Sequence, residues 1–176
     1  MLLAQIGVTA DEIRPADINE DPQPDEKPRP YCLRMAIEKA EALTCGPDEA
    51  ILTGDTTVAV GRRILGKPAD RAEAEQFLRL LSGRRHRVLT AIALKTENNI
   101  KTRLVETKLK TKSLSDVELA RYLDSGEWED KAGGYGIHGM AAAFFPWMSG
   151  SYSAVVGLPI AETSGLLATI GLGPAA

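Results

Sequence analysis

The spacing of apolar residues along the chain changes several times between a helical period and a strand-like one. Helical spacing is clear in residues 31–43, where Leu33, Ala36, Ile37 and Ala40 fall on one face. A glycine and a proline then end the run. Further helices are predicted from a capping box at residue 70 to the glycine at 83, at residues 115–123 and at residues 159–167.

Strands are predicted where short apolar or alternating runs are bounded by turn residues. They fall near residues 11–14 and at residues 50–53, 58–60, 64–65, 88–94, 100–112 and 152–156. The acidic, proline-rich segment at residues 10–30 is otherwise predicted to be a loop. Because strands and helices do not alternate regularly, we expect an α/β protein with a mixed, twisted sheet and flanking helices.

Length and composition narrow the class of protein. A chain of 176 residues, 44% of them hydrophobic, is long enough for one core, so we expect a single domain over residues 1–176. The net charge of −3 argues against a general nucleic-acid binder. Two cysteines and the lack of a long apolar run indicate a cytoplasmic protein with no membrane partner.

The first candidate for chemistry is the segment Thr53-Gly54-Asp55-Thr56-Thr57, which follows a hydrophobic strand. Strand ends are where α/β folds place ligands. Asp55 is suited to hold a metal ion or to take a proton from water, and Thr56 to donate to a phosphate. The spacing equally allows a turn aspartate that bonds its own backbone.

A second candidate is Lys67, which a glycine and a proline hold on a short loop. Such a lysine can present its ammonium group to a phosphate. The surrounding sequence is not a Walker motif, because the upstream glycine and the following hydroxyl residue are missing. A solvated turn lysine is the alternative.

Three further segments contain residues suited to a polyphosphate site, although each also has an ordinary structural explanation. The pair Glu38-Lys39 on the first helix is either a site residue with its neighbour or a solvated ion pair. Glu20 lies in an acidic loop that either joins Asp55 around a metal or is simply solvated. His138 follows a glycine-rich run and is either a base-reading donor or a structural histidine.

The order of these motifs along the chain resembles the Maf family of nucleotide pyrophosphatases, from residue 2 to about residue 167. The matching strings are Gly-Asp-Thr-Thr-Val at 54–58, Gly-Lys-Pro at 66–68, Leu-Ser-Gly-x-x-His-x-Val-x-Thr-Ala at 81–91, Asp-Lys-Ala-Gly-Gly-Tyr-Gly-Ile-x-Gly at 130–139 and Gly-Ser-Tyr-x-x-Val-Val-Gly-Leu-Pro at 150–159. Chance agreement across five ordered blocks is improbable.

The resemblance implies a two-lobed α/β fold with a deep cleft, related to inosine triphosphate pyrophosphatases. The implied reaction is hydrolysis between the α- and β-phosphates of dTTP, UTP or a modified pyrimidine nucleotide. The implied cofactor is Mg²⁺, with Mn²⁺ or Co²⁺ able to substitute, and the implied assembly is a homodimer. The resemblance assigns catalysis to Asp55, Lys67 and Lys39, substrate binding to Thr56, His138 and Glu20, and the metal to Asp55 and Glu20.

The sequence departs from the family pattern in two places. The family normally opens with a strand and a Ser-x-Ser-Pro-Arg-Arg loop, and this sequence starts just past that loop. His138 also stands where the dTTP- and UTP-cleaving branch usually has glutamine. The first departure leaves two alternatives to the enzyme: a catalytically weak nucleotide-binding or septum-associated interaction protein, and a fold remnant with no ligand role.

Overall fold

An antiparallel sheet of five strands organises the part of the chain that the computed structural model describes, residues 2–172. The strands are β1 (Ile51–Val60), β2 (Arg63–Leu65), β3 (Arg85–Thr96), β4 (Asn99–Lys110) and β5 (Trp147–Ser149). They lie in the order β2-β1-β3-β4-β5, with antiparallel pairing throughout. The predicted α/β sheet is confirmed, although β5 was not among the predicted strands.

Helices flank this sheet. They are α1 (Pro28–Glu41), α2 (Arg71–Leu81), α3 (Asp116–Asp124), α4 (Tyr152–Val156) and α5 (Ile160–Ala168), with short 3₁₀ turns at Leu3–Ile6, Ala132–Gly134 and Met140–Phe144. Helix α1 begins at Pro28 rather than at residue 31, because prolines are well tolerated in a first turn that needs no N–H donors. Ser115 and Glu118 form the predicted capping box of α3.

Helix α1 packs on one face of the sheet through small side chains. The buried residues at this contact are Cys32, Ala36 and Ala40 on α1 and Ala59, Leu89, Ala91 and Ala93 on the strands. Small residues allow a helix backbone to approach a sheet closely. Side chains at the edge of this contact can therefore reach from α1 to β1.

The opposite face of the sheet carries the larger core. One part of this core lies near β2 and packs against α2, α3 and the glycine-rich segment at residues 130–139. A second part packs against α5. The largest buried side chains of this face include Leu78, Tyr122, Leu109, Ile92 and Leu166. Within residues 2–172, no helix combines the length and the apolar character that crossing a bilayer requires.

Two predicted strands are wrong. Residues 11–14 are irregular, and the side chain of Arg14 instead bonds Glu49 and the carbonyl oxygen of Thr44. The second, at residues 152–156, is helix α4, which Ser151 caps by accepting a hydrogen bond from the amide of Ala154. A run of five mostly apolar residues does not separate a buried strand from a short helix, so here the cap decided the structure.

Strand β1 is also longer than predicted. It continues through the segment that was expected to lie at a strand end, and Asp55 pairs with Ala91 in the middle of the ladder. Gly54 lies within this ladder, and the position of a Cβ there would be 3.4 Å from the backbone oxygen of Ala91 and 3.7 Å from that of Gly157, which are ordinary contact distances. The candidate aspartate is therefore held by a ladder on the sheet and not by a flexible turn.

Candidate active site

A groove of about 260 Å³ lies beside β1, and its lining includes the six residues that the sequence predicted. They are Glu20, Lys39, Asp55, Thr56, Lys67 and His138. They come from five separate stretches of the chain: the proline-rich loop, α1, β1, the loop after β2 and the glycine-rich segment. The expected convergence in one concavity is present, while the chemical role of each residue stays a prediction.

Asp55 is fixed at both carboxylate oxygens. Oδ1 accepts a hydrogen bond from Lys39 Nζ at 2.9 Å, and Oδ2 accepts one from the hydroxyl of Thr57 at 3.0 Å. Only 9% of the side chain is exposed. Because hydrogen bonds to charged groups are stronger than neutral ones, these two donors hold the carboxylate in one orientation in the groove.

Lys39 joins the two predicted metal ligands. Its ammonium nitrogen lies 2.9 Å from Asp55 Oδ1 and 2.9 Å from Glu20 Oε1. Burial lowers the pKa of Lys39, but the charges of Asp55 and Glu20 and their hydrogen bonds outweigh burial, so the net pKa is raised. The alternative of a solvated Glu38-Lys39 pair is wrong, since Glu38 pairs with Arg34 and Lys39 enters the groove.

Tyr31 holds the backbone next to Glu20. Its hydroxyl donates to the carbonyl oxygen of Glu20 at 2.8 Å. Burial, with the nearby charges of Asp55 and Glu20, raises the pKa of Tyr31 to about 12. The phenol therefore stays protonated and remains a donor at neutral pH. The helical pattern placed Tyr31 at the start of α1 but gave no sign of this contact.

Lys67 lies exposed in the groove, on a loop that the glycine-rich segment holds. The amide of Gly133 donates to the carbonyl oxygen of Gly66 at 2.9 Å. Gly133 has φ +69°, and a Cβ there would lie 2.9 Å from Cγ1 of Val58. Only glycine fits this position without strain, so the glycine-rich run brings its backbone against both β1 and the lysine loop.

The side chains of Thr56 and Thr57 lie on opposite faces of β1. Successive residues of a strand point to opposite faces, so Thr56 lies on the other side of β1 from Asp55. Its hydroxyl is 3.4 Å from that of Thr90, which in turn donates to the carbonyl oxygen of Ala154 in α4. Thr57, which sequence reasoning passed over, is the hydroxyl that contacts Asp55.

The glycine-rich segment forms a further wall of the groove. Buried Tyr135 bonds Nε2 of buried His86 at 2.7 Å, and burial lowers the pKa of His86 to about 4. His86 lies inside β3, although it belongs to a run rich in basic residues, which is usually typical of a solvated turn. His138 is exposed and lies beside Gly136, at which a Cβ would be 3.3 Å from its ring.

Carboxylates suited to a metal ion are few in the groove. Among residues 2–172 there is no group of three or more His, Cys, Asp or Glu side chains arranged to hold one. Asp55 and Glu20 supply two carboxylates that already share one cation, the ammonium of Lys39. Mg²⁺ is commonly held by one or two carboxylates, with substrate phosphates and water completing its shell, so this donor set fits Mg²⁺.

The fold and the groove define an α/β protein whose site places carboxylates and lysines together, the combination used to handle a polyphosphate with a divalent cation. The sequence model of the Maf-like protein family matches residues 1–170. The chain belongs to the Maf-like family.

Several relatives match almost the full chain. A dTTP/UTP pyrophosphatase of Cereibacter sphaeroides is 58% identical over 171 residues, which are 97% of this chain and 89% of that protein. A dTTP/UTP pyrophosphatase of Roseobacter denitrificans is 59% identical over 170 residues, 97% of this chain and 90% of the relative. A protein of the same name in Caulobacter vibrioides is 51% identical over 175 residues, 98% of this chain and 91% of the relative.

Proposed function

We propose that the chain hydrolyses nucleoside triphosphates, with dTTP and UTP as its substrates, to the monophosphate and pyrophosphate. The observation that carries the proposal is the ion-paired set of Asp55, Lys39 and Glu20 in a groove that also contains Lys67. The relatives named dTTP/UTP pyrophosphatases support the substrate class, because they match 97–98% of this chain at 51–59% identity.

Asp55 is the residue to which we assign proton transfer. Its carboxylate is oriented by Lys39 at Oδ1 and by Thr57 at Oδ2, so it is placed to accept the proton of an attacking water. Lys39 carries a positive charge and lies beside it, where it can compensate charge that develops on the phosphate oxygens. Neither role requires Asp55 to move from the sheet.

Asp55 and Glu20 are the residues that would hold Mg²⁺. When bound there, the ion would neutralise phosphate oxygens and lower the pKa of a bound water. Mn²⁺ or Co²⁺ would substitute, because carboxylate oxygens also bind these ions. The supporting observation is that both carboxylates already contact one cationic nitrogen at 2.9 Å.

The remaining residues of the groove are assigned to the nucleotide. Lys67 projects from a loop whose backbone Gly133 anchors, and its exposed ammonium is available to a phosphate. Thr56 is assigned to a substrate contact on the side of β1 that faces α4, and His138 is assigned to the nucleobase. A His138→Gln variant tests the base assignment: a changed ratio of kcat/KM for dTTP and UTP against dCTP supports it, and an unchanged ratio contradicts it.

The decisive experiment measures pyrophosphate release from a panel of ribo- and deoxynucleoside triphosphates in the presence of Mg²⁺. We expect pyrophosphate with UMP or dTMP as products, and fastest turnover for UTP and dTTP. An Asp55→Asn variant should lose about 10²–10⁴-fold in kcat, the usual contribution of a general base. The matched control is Asp124→Asn, which removes an exposed carboxylate paired with Arg71 outside the groove.

The products and the variant separate the possible failures. Release of orthophosphate with a nucleoside diphosphate would contradict the assigned reaction. Full turnover by Asp55→Asn would leave the reaction in place but refute the role of Asp55. Hydrolysis in ¹⁸O-labelled water, followed by mass spectrometry of both products, then shows whether water attacks the α- or the β-phosphorus.

The proposal also includes a homodimer, a cytoplasmic location and a connection with septum formation. They rest on the family resemblance. Sedimentation analysis tests the dimer, and cell fractionation tests the location. Septum counts in cells that overproduce the protein or its Asp55→Asn variant test the link to division.

A further inference from the structure

Apart from the bonds of Arg14 to Glu49 and Thr44, the hydrogen bonds and ion pairs that tie the loop of Glu20 to the rest of the protein come from side chains of α1. Within the described residues, the backbone of residues 9–26 makes no backbone hydrogen bond to any other segment, and Glu26 to Gln23 is its one internal bond. A loop held so sparsely would sample many conformations unless side chains fix it. Glu20 is 42% exposed and lies within this loop.

Arg34 supplies the main attachment. Its Nε and Nη2 atoms donate to the two carboxylate oxygens of Glu26 at 2.8 and 2.6 Å, which is a bidentate fork. Nη2 also donates to the carbonyl oxygen of Asp21 at 3.1 Å, next to Glu20. Nη1 donates to Glu38 on α1 itself, which holds the guanidinium in place.

The fork is shielded from solvent. The side chain of Arg34 is 19% exposed and that of Glu26 only 9%. Charge-assisted bidentate bonds with little solvent around them are among the stronger polar contacts, whereas exposed pairs contribute little. The pairing is therefore strong enough to order a loop, unlike the exposed ion pair of Arg14 with Glu12.

The same helix also carries the groove's central cation. Arg34 packs 5.6 Å from the ring of Tyr31, whose hydroxyl bonds the carbonyl oxygen of Glu20, and Lys39 bonds the Glu20 carboxylate. Three residues of α1 thus act on one short stretch of loop. Of these three, Tyr31 and Lys39 line the groove and Arg34 does not.

We propose that Arg34 is a positioning residue, which clamps the loop through Glu26 and the Asp21 carbonyl so that the Glu20 carboxylate stays beside Lys39 and Asp55. The role of Glu20 in this inference rests on the proposed function, whereas the attachment of the loop by Arg34 does not. Lysine cannot replace arginine here, since one ammonium cannot form the planar fork while also reaching Glu38.

Hydrogen exchange tests the clamp in the protein without ligands. In Arg34→Met, the loop amides of Asp21, Gln23 and Glu26 should exchange at least about tenfold faster than in the parent protein. The matched control is Arg79→Met, which removes an arginine that also pairs with two carboxylates but lies far from this loop. Unchanged loop exchange in Arg34→Met would overturn the inference whether or not the protein hydrolyses nucleotides.

A double-mutant cycle tests whether the clamp acts through Glu20. Arg34→Met should lower kcat/KM for UTP about tenfold in the parent but less than twofold in a Glu20→Gln background. Glu26→Gln should reproduce the effect, and Arg34→Lys should rescue little of it. Equal losses in both backgrounds would reduce Arg34 to a purely structural role and overturn the inference.

Activity and exchange separate the two hypotheses. A parent protein that hydrolyses no nucleotide refutes the proposed function, while faster loop exchange in Arg34→Met still supports the clamp. An active parent with additive losses refutes the positioning role and leaves the proposed function intact. Thermal unfolding shows whether Arg34→Met or Glu26→Gln has lost its fold. If Arg34→Met has, the double-mutant cycle is carried out with Glu26→Gln, which is the milder change.

Discussion

Lys39 already lies where a metal ion would have to bind, and this predicts an unusual effect of removing it. Its ammonium contacts both Asp55 and Glu20 at 2.9 Å, the two carboxylates that we assign to Mg²⁺. A divalent ion can use those oxygens only if the ammonium gives up its contacts with them. A Lys39→Met variant should therefore bind a divalent ion more tightly in the absence of nucleotide, while losing turnover.

The size of the effect follows from the two contacts. The pair with Asp55 is largely buried, at 16% and 9% exposure, and a hydrogen bond to a charged group there contributes about 1.5–2 kcal/mol. In the pair with Glu20, the glutamate side chain is 42% exposed, so this contact contributes about 0.5–1 kcal/mol. A total of about 2–3 kcal/mol corresponds to roughly 30- to 150-fold tighter binding.

Loss of the free Mn²⁺ signal in electron paramagnetic resonance measures this affinity directly. The matched control is Lys67→Met, which removes the same charge from the same groove. Lys67 makes no salt bridge to a carboxylate within residues 2–172, so its removal should change Mn²⁺ affinity no more than about threefold. Equal or weaker Mn²⁺ binding by Lys39→Met would refute the assignment of Asp55 and Glu20 as the metal ligands.

Three further predictions concern the scaffold of the groove. Gly133→Ala should lower the free energy of unfolding in urea by about 1–3 kcal/mol, because of its positive φ and close contact, whereas Gly165→Ala, in open space on α5, should not. The pKa of His86 is about 4 in the folded protein and 6.5 in the unfolded chain, so between pH 7 and pH 5 this histidine takes up a proton only on unfolding. The free energy of unfolding should therefore fall by about 2 kcal/mol between pH 7 and pH 5. A His86→Gln variant should lack this part of the decline. Thr57→Val removes the hydroxyl that bonds Asp55 and should lower kcat/KM about tenfold, with Thr57→Ser close to the parent.

Helices α2 and α3 could be predicted from the sequence because local signals specify them. Helix α2 follows an aspartate whose side chain accepts from the amide three residues on, and α3 has a complete capping box. The strands of the long antiparallel pair β3–β4 were likewise predictable, because an apolar run and an alternating run are separated by a short turn, which the structure places at Glu97-Asn98. In these elements the local preference and the tertiary structure agree, so no competing effect had to be weighed.

The environment of Asp55 could not be predicted, because the strand continues where its composition indicates a stop. Glycine, aspartate and threonine next to one another are typical of a turn, yet this segment pairs with β3 over its full length. Tertiary pairing overrode the local preference. The extension of the strand also decides which hydroxyl contacts Asp55, since alternation along β1 places Thr57, and not Thr56, on the same side as Asp55.

The position of the Glu20 loop depends on a contact that no spacing in the sequence encodes. Glu26 is separated from Arg34 by eight positions and by the start of a helix, so their pairing exists only once the proline-rich loop folds back over α1. The sequence shows an arginine and several acids, any of which could have paired. What selects Glu26 is its place at 9% exposure beside the helix, where an unpaired carboxylate would be costly. Arg34, which also pairs with Glu38 on its own helix, therefore has Glu26 as its partner in the loop. That selection gives a loop without regular structure the fixed position that a carboxylate beside Lys39 requires.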